Sequence, residues 1–429
     1  MKAVLKNIII CLSIILTGLT SCKNSNENTG KILRIEDDGI ESTGPYLTKD
    51  NKGNAVLCWM SKSASDSLYR LKYAVFDSLA NQFGSSFTVS SSAGTSYSAE
   101  SMGKIAFKAD GTVIVVFSKK FENEKNPYAG AIYYSTSKDG KNWTSASFLH
   151  SDTSHAYGRN FFDIATIGNG EIAAIWLDGR FGKTEKGSAL FFAATEKAKG
   201  FGIDTCINKS TCECCRTDLL CDDKGLLHLA YRSISYPSEL MGAQVRDMVY
   251  ITSADNGKHF TVEKPISKDN WKLEGCPHSG PSLAVSSKKI NAVWFTAAAG
   301  KPGLYFSNLS DQSSFGKRSL ISANGRHPQL TSIQNKAIVV YEDSENAASM
   351  PQHHSMSMNH HQAASKAKIV LEVLGDGSDA GKMNITDGAF ADHHAVIASQ
   401  NGNALVAWIR EDNGRSTICY TLKHINNEE

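Results

Sequence analysis

The chain has 429 residues, 41% of them hydrophobic and 21% charged, the balance of a soluble globular protein long enough to bury one or more cores. That balance excludes a disordered, collagen-like or polytopic chain. Its 45 Lys and Arg against 43 Asp and Glu leave a net charge of +2, too little basic excess to neutralise a phosphate backbone, so no nucleic acid is expected as partner.

In chain order, Lys2 and Lys6 precede an apolar run at residues 8–19, the length of a signal-peptide core and too short for a stable membrane span. The run ends Leu19-Thr20-Ser21-Cys22. This string resembles the lipobox of bacterial lipoproteins, which implies removal of residues 1–21, lipidation of Cys22 and attachment to the cell envelope, expected at the outer membrane, with the face (periplasmic or surface) left open. Residues 22–30 are polar and read as a flexible tether, leaving 31–429 as a single domain. Export to an oxidising compartment means that the cysteines beyond Cys11 and Cys22 either form disulfides or hold metal.

From residue 31 onward, short β-type runs recur with turn residues between them. An aromatic sits inside an apolar strand of each unit: Trp59, Phe117, Trp176, Tyr231, Trp294, Tyr341 and Trp408. Tight-turn strings such as Ala109-Asp110-Gly111, Gly168-Asn169-Gly170 and Asp222-Asp223-Lys224-Gly225 precede these strands, and two more strands follow most of them, which is hairpin chemistry. Four strands per unit of roughly fifty residues, repeated in a row, predict an all-β fold, a β-propeller whose blades must stack to cover their apolar faces. Seven units are counted. The seventh stops after a third strand near 417–424, whereas 31–35 is a spare strand, so the N-terminal strand is expected to complete the last blade and close the ring.

Two turns between third and fourth strands share a sharper pattern, Ser137-Lys138-Asp139-Gly140-Lys141-Asn142-Trp143 and Ser253-Ala254-Asp255-Asn256-Gly257-Lys258-His259-Phe260. The Ser and Asp side chains can bond the turn's own backbone, Gly140 and Gly257 supply a positive φ, and Trp143 and Phe260 can pack between blades. Both turns resemble the Asp-box of the sialidase superfamily, a structural device. Sialidases have six blades, so the resemblance implies six where the repeats count seven.

In a propeller the innermost strand of each blade starts at one mouth of the channel, and the loop between second and third strands returns to that mouth. Residues just ahead of the inner strands are therefore expected to converge: Arg159-Asn160, then Cys212, Cys214, Cys215 and Arg216, then Cys276 and His278, then Arg326-His327 and His393-His394. The second-to-third-strand loop of the sixth unit adds Met350, His353, His354, Met356, Met358, His360 and His361. Thiolate, thioether and imidazole together suit copper, and zinc also accepts Cys and His. In an extended strand Cys212 and Cys214 would point the same way and Cys215 oppositely. Alternatively, Cys206, Cys212, Cys214, Cys215, Cys221 and Cys276 form disulfides pinning the fourth unit to the fifth, and the His/Met run is a solvated insertion. His228 reads as a core histidine, and His150, His155 and His259 as surface residues.

The CxCC run at 212–215 and the string Gly275-Cys276-Pro277-His278-Ser279-Gly280-Pro281 resemble a bacterial exported group labelled exo-α-sialidase-like. That resemblance implies a hydrolase with an arginine triad gripping a carboxylate, a Tyr/Glu nucleophile pair and an Asp acid. The candidates it brings forward are Arg159, Arg180, Arg216, Arg232, Arg246 and Arg326 for the grip and Asp178 for the acid. The chain departs from the pattern: no Arg-Ile-Pro occurs, Arg34-Ile35-Glu36 falls in the closing strand, and Tyr341-Glu342 belongs to the aromatic column. Three readings follow: a lipid-anchored propeller binding copper or a similar soft metal, a hydrolase or binder of acidic glycans, and an interaction scaffold whose protein partner the sequence does not indicate.

Overall fold

A computed structural model describes residues 30–97, 100–309, 314–344, 366–375 and 381–425. The described strands form seven antiparallel sheets of four strands, the first carrying an extra two-residue strand at its edge. They are the blades of a seven-bladed β-propeller. The repeat count of seven is thus correct, and the six implied by the sialidase resemblance is not. The inner strands are Glu41–Lys49, Lys104–Phe107, Arg159–Thr166, Asp218–Cys221, Ser282–Ser286, Gly325–Ile333 and Ala391–Gln400.

The second strand of each blade explains why the ring forms. Ile172–Asp178 is buried at every position, because a blade in a ring has a neighbour on both faces and its central strands read as continuous apolar runs rather than alternating ones. Trp59, Phe117, Trp176, Tyr231, Trp294, Tyr341 and Trp408 occupy these second strands and are 0% or 1% exposed. Seven apolar clusters result, one for each blade-to-blade interface. One joins Trp59 and Ala74 of the first blade to Leu405 and Ile418 of the seventh, and another joins Ile175 and Phe192 of the third to Leu229 and Ile251 of the fourth.

Ring closure follows the expected route. Leu33–Arg34 pairs with Arg415–Lys423, Leu33 opposite Tyr420 and Arg34 opposite Cys419, so the seventh blade is built from both ends of the chain. The Asp-box turns lie at the opposite mouth from the inner-strand starts. Ser137 Oγ accepts from the Gly140 N–H at 2.9 Å, and Asp139 Oδ1 accepts from the N–H groups of Lys141 and Asn142. Ser253 and Asp255 repeat this with Gly257, Lys258 and His259. Trp143 then meets Tyr73 of the preceding blade edge-on at 6.3 Å, and Phe260 meets Phe192 at 5.3 Å.

His150 corrects the sequence reading. It is 3% exposed, its Nε2 accepting from the Ile132 N–H and its Nδ1 facing the Asp152 carbonyl, so it caps a strand edge inside the second blade. His228 is in the core as expected, hydrogen-bonded to Tyr250.

Candidate functional site

The start of the inner strand is irregular in blade after blade. The ladder shifts register between Thr43 and Tyr46, Asn160 and Asp163, Arg326 and Gln329, and His393 and Val396. In each shift one residue takes a left-handed conformation: Gly44, Phe161, His327 and His394, with φ of 58°, 52°, 48° and 51°. A bulge of this kind re-aims a side chain. Here it turns His327 and His394 toward each other, their rings stacked at 4.4 Å.

Glu100, ahead of the second blade's inner strand, completes the group. Its Oε1 lies 3.6 Å from His327 Nε2 and 3.5 Å from His394 Nε2, and its Oε2 lies 3.7 Å from Arg216 Nη1. These are ion-pair separations. Glu100 is 5% exposed, and neither of its oxygens has a hydrogen-bond partner. Glu342, from the second strand Lys336–Asp343 of the sixth blade, holds the imidazoles from behind: Oε1 faces His327 Nδ1, and Oε2 accepts from the His394 N–H at 3.1 Å. His393 Nδ1 lies 2.7 Å from His394 Nδ1, and its Nε2 meets Glu411 at 3.1 Å. The potential ligand atoms of Glu100, His327 and His394 all lie within 4.8 Å of one another, as do those of Glu342, His393 and His394.

The charges arrange themselves accordingly. Burial pulls His327 down, but Glu342 and Glu100 outweigh it and raise it to about 9. His394 is lowered by burial and by the charge on His327. Burial would raise Glu100, yet Arg216, His327 and His394 hold it at about 2, and His327 likewise keeps Glu342 well below the carboxylate range. One charged and one neutral imidazole thus stand between two carboxylates.

The cysteines gather beside this cluster. The fourth strand of the third blade ends at Thr211, and the chain then turns at Glu213 and Cys214 rather than continuing extended. The turn overrides the alternation expected of a strand: Cys215 comes back to Cys212, their sulfurs 3.3 Å apart. Cys214 is joined to Cys276 with Cα atoms 6.1 Å apart, tying the entrance of the fourth blade to that of the fifth, the disulfide alternative the sequence left open. Cys206 and Cys221 are free thiols. His278 stands exposed two residues past Cys276, also at positive φ.

The arginines are mostly committed elsewhere. Arg159 is 2% exposed and pairs with Asp178 at 3.1 Å and Asp152 at 2.7 Å. Arg180 pairs with Asp178 and Asp204, and Asp178 is wholly buried, so this trio braces Trp176 inside the blade. Arg232 donates to the carbonyls of Arg246, Ser279 and Phe295, Arg246 pairs with Glu213, and Arg326 stacks on Phe295 at 4.1 Å. Among the described residues Arg216 is the arginine that reaches the His/Glu cluster. Met350, His353, His354, Met356, Met358, His360 and His361 lie outside the described residues; the flanking strands, Lys336–Asp343 and Lys368–Leu374, pair beside Glu342.

Sequence reasoning missed Glu100 and set Glu342 aside as part of the aromatic column. Tyr341 is indeed core, but its neighbour points the other way. A signal for Glu100 exists: Met102-Gly103-Lys104-Ile105, Phe161-Phe162-Asp163-Ile164, Arg216-Thr217-Asp218-Leu219, His327-Pro328-Gln329-Leu330 and His394-Ala395-Val396-Ile397 are one column of inner-strand starts. Aligning them would have put Glu100 on the rim.

No family model and no curated protein matches the chain. Solved structures do. The polysaccharide lyase Uly1 aligns over 92% of both chains with a TM-score of 0.55 and 9% identity. The NanB sialidase of Streptococcus pneumoniae aligns over 92% of this chain and 70% of its own, with a TM-score of 0.46 and 11% identity. A protein of unknown function from Dyadobacter fermentans aligns over 76% of this chain and 94% of its own, at 0.49 and 13%. The alignment with Uly1 is that of a shared β-propeller architecture. At these identities the likeness is one of fold.

Proposed function

We propose that this protein is an exported, lipid-anchored propeller that binds a divalent transition-metal ion, copper or zinc, at one channel mouth through His327, His394 and Glu100. The observation that carries the reading is the buried Glu100 carboxylate, which lacks a hydrogen bond and faces two imidazoles from two other blades. Without a metal its burial is offset by Arg216 and the charged His327 at 3.6–3.7 Å, and a bound cation would take over that pairing. Imidazole and carboxylate are donors that borderline divalent ions accept, and three protein ligands leave room for water or a substrate oxygen. A metal would have to displace the Nε2 proton of the charged His327, after which Glu342 would hold the remaining Nδ1–H, the usual support of a ligating histidine. With two cysteines joined, the donor set is harder than Cu(I) prefers, which favours the divalent state. Anchorage through Cys22 remains part of the proposal.

Metal analysis of the purified, reconstituted full chain tests it. About one equivalent of copper or zinc should be retained, with a rise in Tm. His327→Ala, His394→Ala and Glu100→Gln should each weaken binding by ~10-fold or more. Under a tenth of an equivalent, with no Tm shift, would end the reading.

A second reading, action on an acidic glycan at the same mouth, draws support from the architecture shared with Uly1 and from a charged and a neutral imidazole beside two carboxylates, a set able to donate and accept protons. Turnover of sialosides or uronate-containing oligosaccharides that disappears in Glu342→Gln would favour it.

A further inference from the structure

The four cysteines at the rim are placed for chemistry that the metal site does not use. The sulfurs of Cys212, Cys214 and Cys276 lie within 4.8 Å of one another. Cys214 and Cys276 are bonded, which leaves Cys212 as a free sulfur alongside a disulfide. Two groups attend it: Cys215 Sγ at 3.3 Å and Arg246 Nη1 at 3.2 Å. Cys212 and Cys215 are 1% and 2% exposed, whereas Cys276 is half-buried.

We propose that this cluster is a thiol–disulfide exchange centre in which Cys212 is the internal nucleophile and Cys276 the outlet. The Cys212 thiolate attacks Cys214 Sγ. A Cys212–Cys214 bond forms, the Cys214–Cys276 bond breaks, and its electron pair leaves on Cys276 Sγ. One disulfide replaces another, so nothing is oxidised or reduced and no co-reactant is needed. The step moves a reactive thiolate from a closed position to the rim, where a disulfide-bearing partner can meet it: attack by Cys276 on such a disulfide gives a mixed disulfide and releases one partner thiolate. Glu213 Oε2, 3.7 Å from Cys276 Sγ, accepts from the thiol when it is protonated.

Two features favour Cys212 as the attacking sulfur. The Cys215 thiol donating to it, followed by Arg246 and Arg232, pulls it down to about 6 against its burial, and a thiol titrating close to ambient pH is the fastest in exchange. Cys215 goes the other way, raised by burial and by its neighbour, and stays a donor. The cluster does not depend on the metal proposal, and its test is separate.

The full chain, unreduced, is alkylated with N-ethylmaleimide in time course, acid-quenched and peptide-mapped. Native protein should accumulate Cys276 alkylation together with a Cys212–Cys214 link. Cys212→Ala should lower the Cys276 alkylation rate by at least ~10-fold while keeping Cys214–Cys276 intact, and Cys215→Ala should slow it less. The wild-type time course stands even if a variant fails to fold. Absence of Cys276 alkylation in wild type, equal alkylation in Cys212→Ala, two fixed disulfides, or four thiols released only by a chelator would each overturn the proposal.

Discussion

Four tryptophans of the second strands share one arrangement: the indole N–H of Trp59, Trp176, Trp294 and Trp408 donates to a carboxylate of Asp37, Asp178, Asp269 and Asp392, at 2.8, 3.4, 2.9 and 3.0 Å. A cation completes each unit, Lys72, Arg180, Arg318 or Arg410. Removing the carboxylate of Asp178 takes a shared partner from the buried Arg159 and Arg180 and leaves them only Asp152 and Asp204. Asp178→Ala should cost about 3–5 kcal/mol in urea unfolding, whereas Trp176→Phe, which keeps the ion pairs, should cost less. An effect of Asp178→Ala under about 1 kcal/mol would mean the pairs are solvated. The tryptophans were legible in the sequence because strand position repeats. Their partners were not, since the aspartates stand 22, 2, 25 and 16 residues away, and separation along the chain carries no trace of a contact made by folding. Glu100 and Glu342 escaped for the same reason.

Elements tell a similar story. Hairpin turns, Asp-boxes and the closing strand were readable because each rests on local residue chemistry. The bulge that aims His327 and His394 was not, since a histidine carries no mark of left-handed backbone. That strain makes a discriminating variant available. Gly44 occupies the matching place in the first blade at φ 58°, so His394→Gly should be more stable than His394→Ala by about 0.5–1 kcal/mol in thermal unfolding, with metal retention equally lost in both. If Ala proves the more stable, the bulge is relaxed in solution. At the opposite mouth, Gly257 has φ 87° and an added Cβ would collide with the Phe192 ring. Gly257→Ala should therefore lower stability by about 1–3 kcal/mol, measured by calorimetry.

For the molecule as a whole, side chains in the channel stitch blade to blade. Asp163 accepts from the Leu219 N–H at 2.7 Å, Asp218 from Leu283 at 2.6 Å, and Ser282 from Leu330 at 2.9 Å, each reaching the next inner strand. Burial, with the nearby charge of Asp163, pushes Asp218 up to about 7. The folded state thus holds that proton more tightly than the unfolded chain does. Its contribution to stability is complete below the ordinary carboxyl range near ~4 and is lost as pH rises through neutrality. Denaturant midpoints should fall over that window, and Asp218→Asn, which can still accept from Leu283, should flatten the fall. An unchanged pH profile in the variant would place the titration elsewhere.

Because the N-terminal strand is zipped onto the last one, with the Gly30 N–H bonded to the Leu422 carbonyl at 2.9 Å, the two ends of the described chain emerge side by side. A circular permutant is therefore within reach. Joining residue 425 to residue 30 by a short Gly/Ser link and opening the chain at the exposed connection between two other blades should leave every strand pairing in place. The ring would then have no privileged seam, and the rim histidines would meet as before.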